Sequence, residues 1–215
     1  NFFLKKNNCA VIKINFEEML IKLKNNKFTF LNNKKIRKLN GVWVRYINSG
    51  SIEEITTKLT ILHLLEEMGI YIHNSAKIIE KTVDKVRTTG LLELYKLKSP
   101  ETFVSFGNYL KKFPTDKKYK YLLKPIFGSQ GKGILLISDP KKSKNIIANG
   151  NVYYLQRFLE SNEKEFSDFR ILVSNHRVIS VMKRSSKHFI TNVYQGARTQ
   201  KISLKKKLEK ISIKV

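Results

Sequence analysis

The chain has 215 residues, 41% of them hydrophobic and 27% charged, with a formal net charge of +25. That length buries one good core, in one domain or two small ones, and no apolar run approaches the ~20 residues that span a bilayer. The opening Asn1-Phe2-Phe3-Leu4-Lys5-Lys6 lacks the layout of a signal peptide, and a single cysteine, Cys9, excludes an internal disulfide framework or thiolate metal cluster. These features read as a soluble, cytoplasmic protein. The charge admits two readings: a polyanion partner such as nucleic acid, or lysine-rich solvated surfaces with weak nucleic-acid affinity as a by-product. The lysines recur along the whole chain, which favours the second.

Residues 9–14, a short run rich in β-branched side chains, predict a buried parallel strand, and residues 42–45 predict another. Residues 16–23 between them suit a short helix. Ser51 with Glu54 three positions on is a capping box, and Gly69 stands where a left-handed helix end belongs. Ile55, Leu59, Leu62 and Leu65 form one apolar stripe between them. With a strand returning at 70–72, this is a βαβ unit, so the first ~80 residues read as an open α/β layer. A second helix is predicted over 84–98 and a strand over 102–104. Short strands then alternate with turns: 121–124, 133–137 and 152–156, with a helix over 140–148. Residues 169–173 and 178–184 read as a hairpin across Ser174-Asn175-His176-Arg177.

Between two of these strands lies Lys124-Pro125-Ile126-Phe127-Gly128-Ser129-Gln130-Gly131-Lys132-Gly133. Its glycines let a backbone approach an anion and turn N–H groups toward it. The spacing is neither that of a P-loop nor of a helix-opening dinucleotide loop; the arrangement is a flap joining antiparallel strands, or a plain flexible turn. Lys124, with Tyr121 and Leu123 on the opposite face by alternation, can set its ammonium beside phosphate oxygens under such a flap. On the strand near 168–173, Asp168 and Arg170 share one face while Phe169, Ile171 and Val173 pack on the other; this is either a ligand-facing pair or a structural ion pair. Lys183-Arg184 adds cations near the same sheet, and residues 191–198, with their polar side chains and glycine, suit a ligand-facing loop.

The order of these parts resembles the ATP-grasp superfamily, specifically the RimK-like ligases that add glutamate to a carboxylate. The resemblance is carried by Val42-Trp43-Val44-Arg45, Gly69-Ile70-Tyr71-Ile72-His73-Asn74-Ser75, Asp84-Lys85, Pro100-Glu101-Thr102 and the Lys124 loop. It continues through Gln156-Arg157-Phe158-Leu159, Asp168-Phe169-Arg170, Lys183-Arg184 and Thr191-Asn192, and the last stretch looks most like ligases that glutamylate tetrahydromethanopterin-type cofactors. The resemblance implies an α+β, α/β ATP-grasp fold with an N-terminal open α/β layer at 1–83, its first strand missing. An ATP-grasp region follows at 84–215, divided into a lid at 119–155 and a partial C-terminal subdomain at 156–215. It further implies that Lys85 and Lys124 contact ATP phosphates, with Gly128, Ser129, Gln130, Gly131 and Gly133 closing over them. Gln156, Arg157 and Phe158 would form the hinge at the adenine edge, although Arg157 stands where relatives often carry glutamate. Asp168 would meet the ribose, Ile190, Thr191 and Asn192 the nucleotide, and Arg170 with Lys183 or Arg184 the charge of the phosphates or acyl phosphate.

The expected activity is ATP-dependent ligation of glutamate to a small-molecule or protein carboxylate acceptor, with Mg²⁺ bridging the phosphates. Family members carry an Asp and a Glu-x-Asn for that metal after the Thr-Asn loop. Here Glu209 is the only acid after Asn192. No metal ligand is therefore assigned within the chain, and the ligands are expected beyond Val215, in a protein read as truncated at both ends. Two alternatives stand beside the ligase: a basic module that binds RNA or another polyanion, and a pseudoenzyme that binds ATP without transferring anything.

Overall fold

The computed structural model describes residues 6–25, 27–32, 34–36, 39–107, 118–138, 151–160 and 163–215, with backbone alone at 27–36. The chain divides into two compact units, one comprising Asn1–Ile47 with Thr56–Ile79 and the other Asn48–Ile55 with Glu80–Val215. Among the described residues no helix is long and apolar enough to cross a membrane.

The first unit departs from the sequence expectation at its start. Residues 9–14 form no strand, and 16–23 form no helix. A single 3-10 turn at Phe16–Glu18 is followed by an antiparallel meander of β1 (Leu20–Lys24), β2 (Lys27–Asn32) and β3 (Lys34–Ile36). The two acids of this turn are engaged separately: Glu17 takes a 3.0 Å bond from the buried Lys58, 41 positions on, and Glu18 one of 3.0 Å from nearby Asn15. Lys24 pairs with Lys27 across a two-residue loop, and Asn25 there adopts the left-handed φ of 52° that such hairpins require.

Where capping signals are explicit, expectation and structure agree. β4 (Gly41–Trp43) and β5 (Tyr71–His73) pair in parallel, and α1 (Ile52–Glu67) lies between them in sequence. The Ser51 amide donates to Glu54 Oε2 at 2.7 Å and the Glu54 amide to Ser51 Oγ at 3.2 Å, which satisfies two otherwise orphaned donors. At the other end Gly69 takes φ 79° while its N–H bonds Glu66 O and that of Ile70 bonds Leu65 O, a Schellman closure. Ile55, Leu59, Leu62 and Leu65 are all buried.

The helix expected over 84–98 is shorter, and a further helix precedes it. α2 (Ala76–Val83) and α3 (Lys85–Leu94) meet at Asp84, whose carboxylate accepts from the N–H groups of Val86 and Arg87. α3 stops early because Lys96 adopts φ 55° and Leu97 N–H returns to Leu92 O.

β6 (Thr102–Phe106), β7 (Tyr121–Lys124), β8 (Leu135–Ile137) and β9 (Val152–Arg157) form an antiparallel sheet in the order β6-β9-β7-β8. Tyr121, Leu123, Ile137, Tyr153 and Leu155, with Phe103 and Tyr119 against them, make the core on one face. The helix expected over 140–148 lies outside the described residues. A second antiparallel sheet joins β10 (Phe166–Ser174), β11 (Arg177–Ser186) and β12 (Arg198–Lys201), with α4 (Lys206–Lys214) against β10 and β11. The β10–β11 hairpin turns on Asn175 and His176, at φ 47° and 55°. Phe169, expected to pack, is 48% exposed.

These positions differ in cost by mechanism. Leu155 is 0% exposed, so Leu155→Ala is expected to lower unfolding free energy by about 2–5 kcal/mol. Ser51→Ala, which removes only one side of the capping box, is expected to lower it by about 1 kcal/mol. Urea titration of each variant measures both.

Candidate functional site

Within the second unit, the face of the β6–β9 sheet opposite the core carries a polar cluster beside Val104, Leu122 and Leu136. Thr102, Lys124, Tyr154 and Gln156 share it by register. Lys124 Nζ donates to Gln156 Oε1 at 2.6 Å, and the Gln156 amide nitrogen donates to Thr102 Oγ1 at 3.0 Å and to the Tyr154 hydroxyl at 3.1 Å. The Tyr154 hydroxyl in turn lies 2.7 Å from Thr89 Oγ1 on α3. Burial lowers the Lys124 pKa below its ordinary 10.5, since taking an ammonium out of water penalises its charged form. Gln156 therefore serves here as a partner that fixes Lys124.

Lys85, the first residue of α3, reaches the glycine loop. Its ammonium donates to Gly128 O at 2.9 Å and Ile126 O at 3.2 Å. Its pKa is also lowered, by burial first and then by repulsion from Lys124, with Asp84 opposing. Two half-buried ammonium groups that feel each other, with a carboxylate on only one side, make a place where an anion is favoured. The loop between β7 and β8 holds Gln130, Gly131 and Gly133 at φ 59°, 73° and 71°. Left-handed residues of this kind help turn successive N–H groups to one side. At Gly131 a Cβ would stand 2.7 Å from Ile190 Cγ2 and 3.0 Å from Gln195 Nε2, so only glycine lets the loop rest on that segment. At Gly128 a Cβ would meet Pro125 Cγ at 2.8 Å. Gln195 Nε2 also donates to Gln130 O at 2.9 Å, and the Lys132 ammonium lies 5.5 Å from the Tyr194 ring centre.

The loop's resting place is the segment around Ile190, Thr191 and Asn192, so two distant stretches of sequence meet. Thr191 Oγ1 donates to Asp168 Oδ2 at 2.9 Å, while Asn192 Oδ1 accepts from Tyr194 N–H at 2.8 Å and so caps the turn at Val193–Gln195. Asp168 is also gripped by Arg184, whose Nε and Nη2 donate to its two oxygens, the first at 2.7 Å. Burial alone would raise the Asp168 pKa; the bonds from Arg184 and Thr191 and the charges of Arg184 and Arg170 outweigh it and hold it below 3.8. The ion pair thus runs across the hairpin to Arg184, with Arg170 contributing charge only. Register sets Asp168, Arg170 and Arg184 on one face and Lys183, opposite Phe169, on the other. There Lys183 meets Glu163 at 3.4 Å.

The hinge expected at 156–158 is built into the sheet. Arg157 N–H donates to Glu101 O and Phe158 N–H to Lys120 O, each at 2.8 Å. The Arg157 guanidinium sits 3.4 Å from the Tyr119 ring centre, and Phe158 contacts Phe166 and Phe189. A nucleotide edge at this segment must use atoms other than those two amides. Sequence reading missed Thr89 and Tyr154, and singled out Thr102 and Gln195 only as members of longer stretches. Tyr154 was within reach, because it alternates with Gln156 on one strand.

The residues fit a polyphosphate: two ammonium groups and a loop whose glycines a Cβ would crowd. They do not fit Mg²⁺. Among the described residues no group of three or more His, Cys, Asp or Glu side chains gathers, and both Asp168 oxygens are already engaged. No step is derived through a metal.

The chain is similar to known proteins along most of its length. The model of a RimK-like ATP-grasp domain matches residues 82–215. A tetrahydromethanopterin:alpha-L-glutamate ligase of Methanococcus maripaludis is 31% identical over 186 residues, covering 84% of this chain and 63% of that protein. A coenzyme gamma-F420-2:alpha-L-glutamate ligase of the same organism is 30% identical over 162 residues, covering 72% of this chain and 56% of that protein. The chain therefore spans less than two thirds of the length of either relative. Among solved structures, a Chryseobacterium gregarium RiPP-associated ATP-grasp ligase, in complex with ADP and a leader and core peptide, superposes with TM-score 0.59 at 15% identity. It covers 99% of this chain and 74% of its own. The ATP-grasp ligase PsnB, with Mg and ADP, gives 0.57 at 14% identity over 93% of this chain and 70% of its own. These likenesses show the ATP-grasp fold.

The Asp168 cluster has an acid signature. A carboxylate whose folded pKa is depressed adds stability above its unfolded value and loses it as pH falls through the folded one. Melting temperatures of the wild type and Asp168→Asn are expected to differ at pH 5 and to converge below the ordinary 3.8.

Proposed function

The chain belongs to the RimK-like ATP-grasp family, and from that premise we propose that it carries the nucleotide-binding part of an ATP-dependent ligase joining glutamate to a carboxylate acceptor. One observation carries the reading: Lys85 and Lys124, far apart in sequence, bring two half-buried, mutually repelling ammonium groups to a glycine loop that Lys85 itself holds. The acceptor proposed first is a tetrahydromethanopterin-type cofactor, the substrate in the name of the 31% identical relative. A cytoplasmic location and an N-terminal layer over 1–83 belong to the same proposal.

ATP supplies the leaving group: an acceptor carboxylate oxygen bonds to the γ-phosphorus as ADP departs, and the resulting acyl phosphate yields an amide when the glutamate amine displaces phosphate and loses a proton. The chain's part is positional and electrostatic. Lys124 is held by Gln156 through one of its three donors, which leaves two for phosphate oxygens. Lys85 fixes the loop while adding its charge. Arg170 and Arg184 share the face of β10 and β11 with Asp168; Asp168 keeps Arg184 oriented, and Arg170 is the cation proposed to offset charge on the transferred group.

In the full chain, ADP is expected to form only when ATP, acceptor and glutamate are all present, and Lys124→Ala is expected to lower kcat/KM by about 100-fold or more. Unchanged turnover in Lys124→Ala would remove this site from the mechanism. ATP binding without turnover in the full chain would instead mark a pseudoenzyme. Because burial lowers the Lys124 pKa below 10.5, ATP affinity is expected to fall as pH rises toward that value. Lys124→Arg, which stays charged, should flatten that fall, as titration calorimetry from pH 7 to 10 would show.

The net charge of +25 supports a second reading, a polyanion-binding module. It requires RNA binding that ATP does not displace at 0.15 M salt; clean displacement by ATP, measured by fluorescence anisotropy, removes it.

A further inference from the structure

Register turns the β10–β11–β12 sheet into a small grid. Asp168 lies opposite Arg184 and Arg184 opposite Thr199; on the next row of the same face Arg170 lies opposite Met182 and Met182 opposite Lys201. The first row is neutralised from within by the Arg184–Asp168 pair. The second row is not.

Arg170, Met182 and Lys201 are all exposed. The neighbouring cations each hold a carboxylate: Lys183 has Glu163, Arg184 has Asp168 and Arg198 has Glu165. Arg170 and Lys201 have no ion pair or side-chain hydrogen bond among the described residues. Two cations without a direct carboxylate partner thus stand at the ends of one row with a thioether between them, Arg170 acting on Asp168 through its charge alone.

Strands lie about 4.8 Å apart, so the Arg170 and Lys201 backbones are about 10 Å apart. Their long flexible side chains can lean inward over Met182. The complement of cation, apolar surface, cation is carboxylate, methylene chain, carboxylate. A monoanion contacts one end only and leaves the other without a direct partner. A single-stranded nucleic acid calls for aromatic faces beside the cations, and this row offers a sulfur; Phe169 faces the other way.

We propose that the cross-strand row Arg170–Met182–Lys201 seats a short aliphatic dicarboxylate, with Lys201 deciding specificity by holding the carboxylate far from Arg170. This rests on the ligase reading only for the source of the ligand, which there is either free glutamate or the glutamyl end of the acceptor. Lys201 is a recognition residue, since the charge of the transferred group is already met by Arg170.

Glutarate and butyrate, titrated calorimetrically into the wild type, Lys201→Ala and Lys201→Glu, test the seat without turnover. Glutarate is expected to bind the wild type more tightly than butyrate does, and Lys201→Ala to weaken glutarate about tenfold, the scale of one lost charge-assisted contact. Lys201→Glu should weaken it further, with butyrate unchanged in both. Equal affinity for the two acids, or glutarate binding indifferent to both substitutions, overturns the proposal. ATP affinity measured in parallel separates the claims: its absence in the wild type sinks the ligase reading and leaves the glutarate comparison standing. In the full chain, a Lys201→Ala rise in KM for glutamate places the free amino acid on the row, and a rise for the acceptor places the acceptor's end there. A rise for ATP alone counts against the seat.

Discussion

An ammonium group half removed from water must find compensation, and for Lys124 it comes from Gln156 Oε1 at 2.6 Å. The geometry around Gln156 permits one orientation of its amide. Its nitrogen faces the hydroxyls of Thr102 and Tyr154, which can accept; reversed, it would set two donors against each other at Lys124. Through Tyr154 the same network meets Thr89 on α3, the helix that opens with Lys85. Strands β6, β7 and β9 and the helix are therefore referenced to one amide. The position of both cations, and of the glycine loop that Lys85 holds, follows from it.

What stabilises this arrangement is chiefly apolar. Tyr121, Leu123, Ile137, Tyr153 and Leu155 occupy the face of the sheet opposite Lys124, and each full burial of such a side chain is worth about 1.5–3 kcal/mol. The exposed pairs Arg87–Glu80 and Lys120–Glu160 are worth about 0–1 kcal/mol each. The excess of lysine over acid therefore adds little to folding. Direct ion pairing is selective, and the row from Arg170 to Lys201 is left outside it.

Local signals in the sequence proved legible where one residue's chemistry settles the geometry. The Ser51–Glu54 box, Gly69 and the alternation of Lys124 against Tyr121 and Leu123 are of this kind. Partnership across strands was less legible. Asp168 reads as a partner of Arg170, two positions along, yet it bonds Arg184 across a hairpin whose register depends on two left-handed residues, Asn175 and His176. The apolar run at 9–14 has strand composition but no pairing among the described residues, and the meander forms downstream, where Asn25 can turn. The approach of Gly131 to Ile190 likewise has no local trace, because it joins segments that only tertiary structure brings together.

The segment from Ile190 to Gln195 touches both partners it connects. Thr191 is fastened to the Asp168–Arg184 pair, while Ile190 and Gln195 bear the glycine loop. A side chain bonded into the sheet is thus mechanically in series with the glycine loop proposed to cover the phosphates. For a ligand beneath that loop, residence time depends on how often the series breaks as well as on the contacts the ligand makes itself. Loosening the Asp168 anchor would therefore shorten the dwell of a nucleotide held beneath the loop.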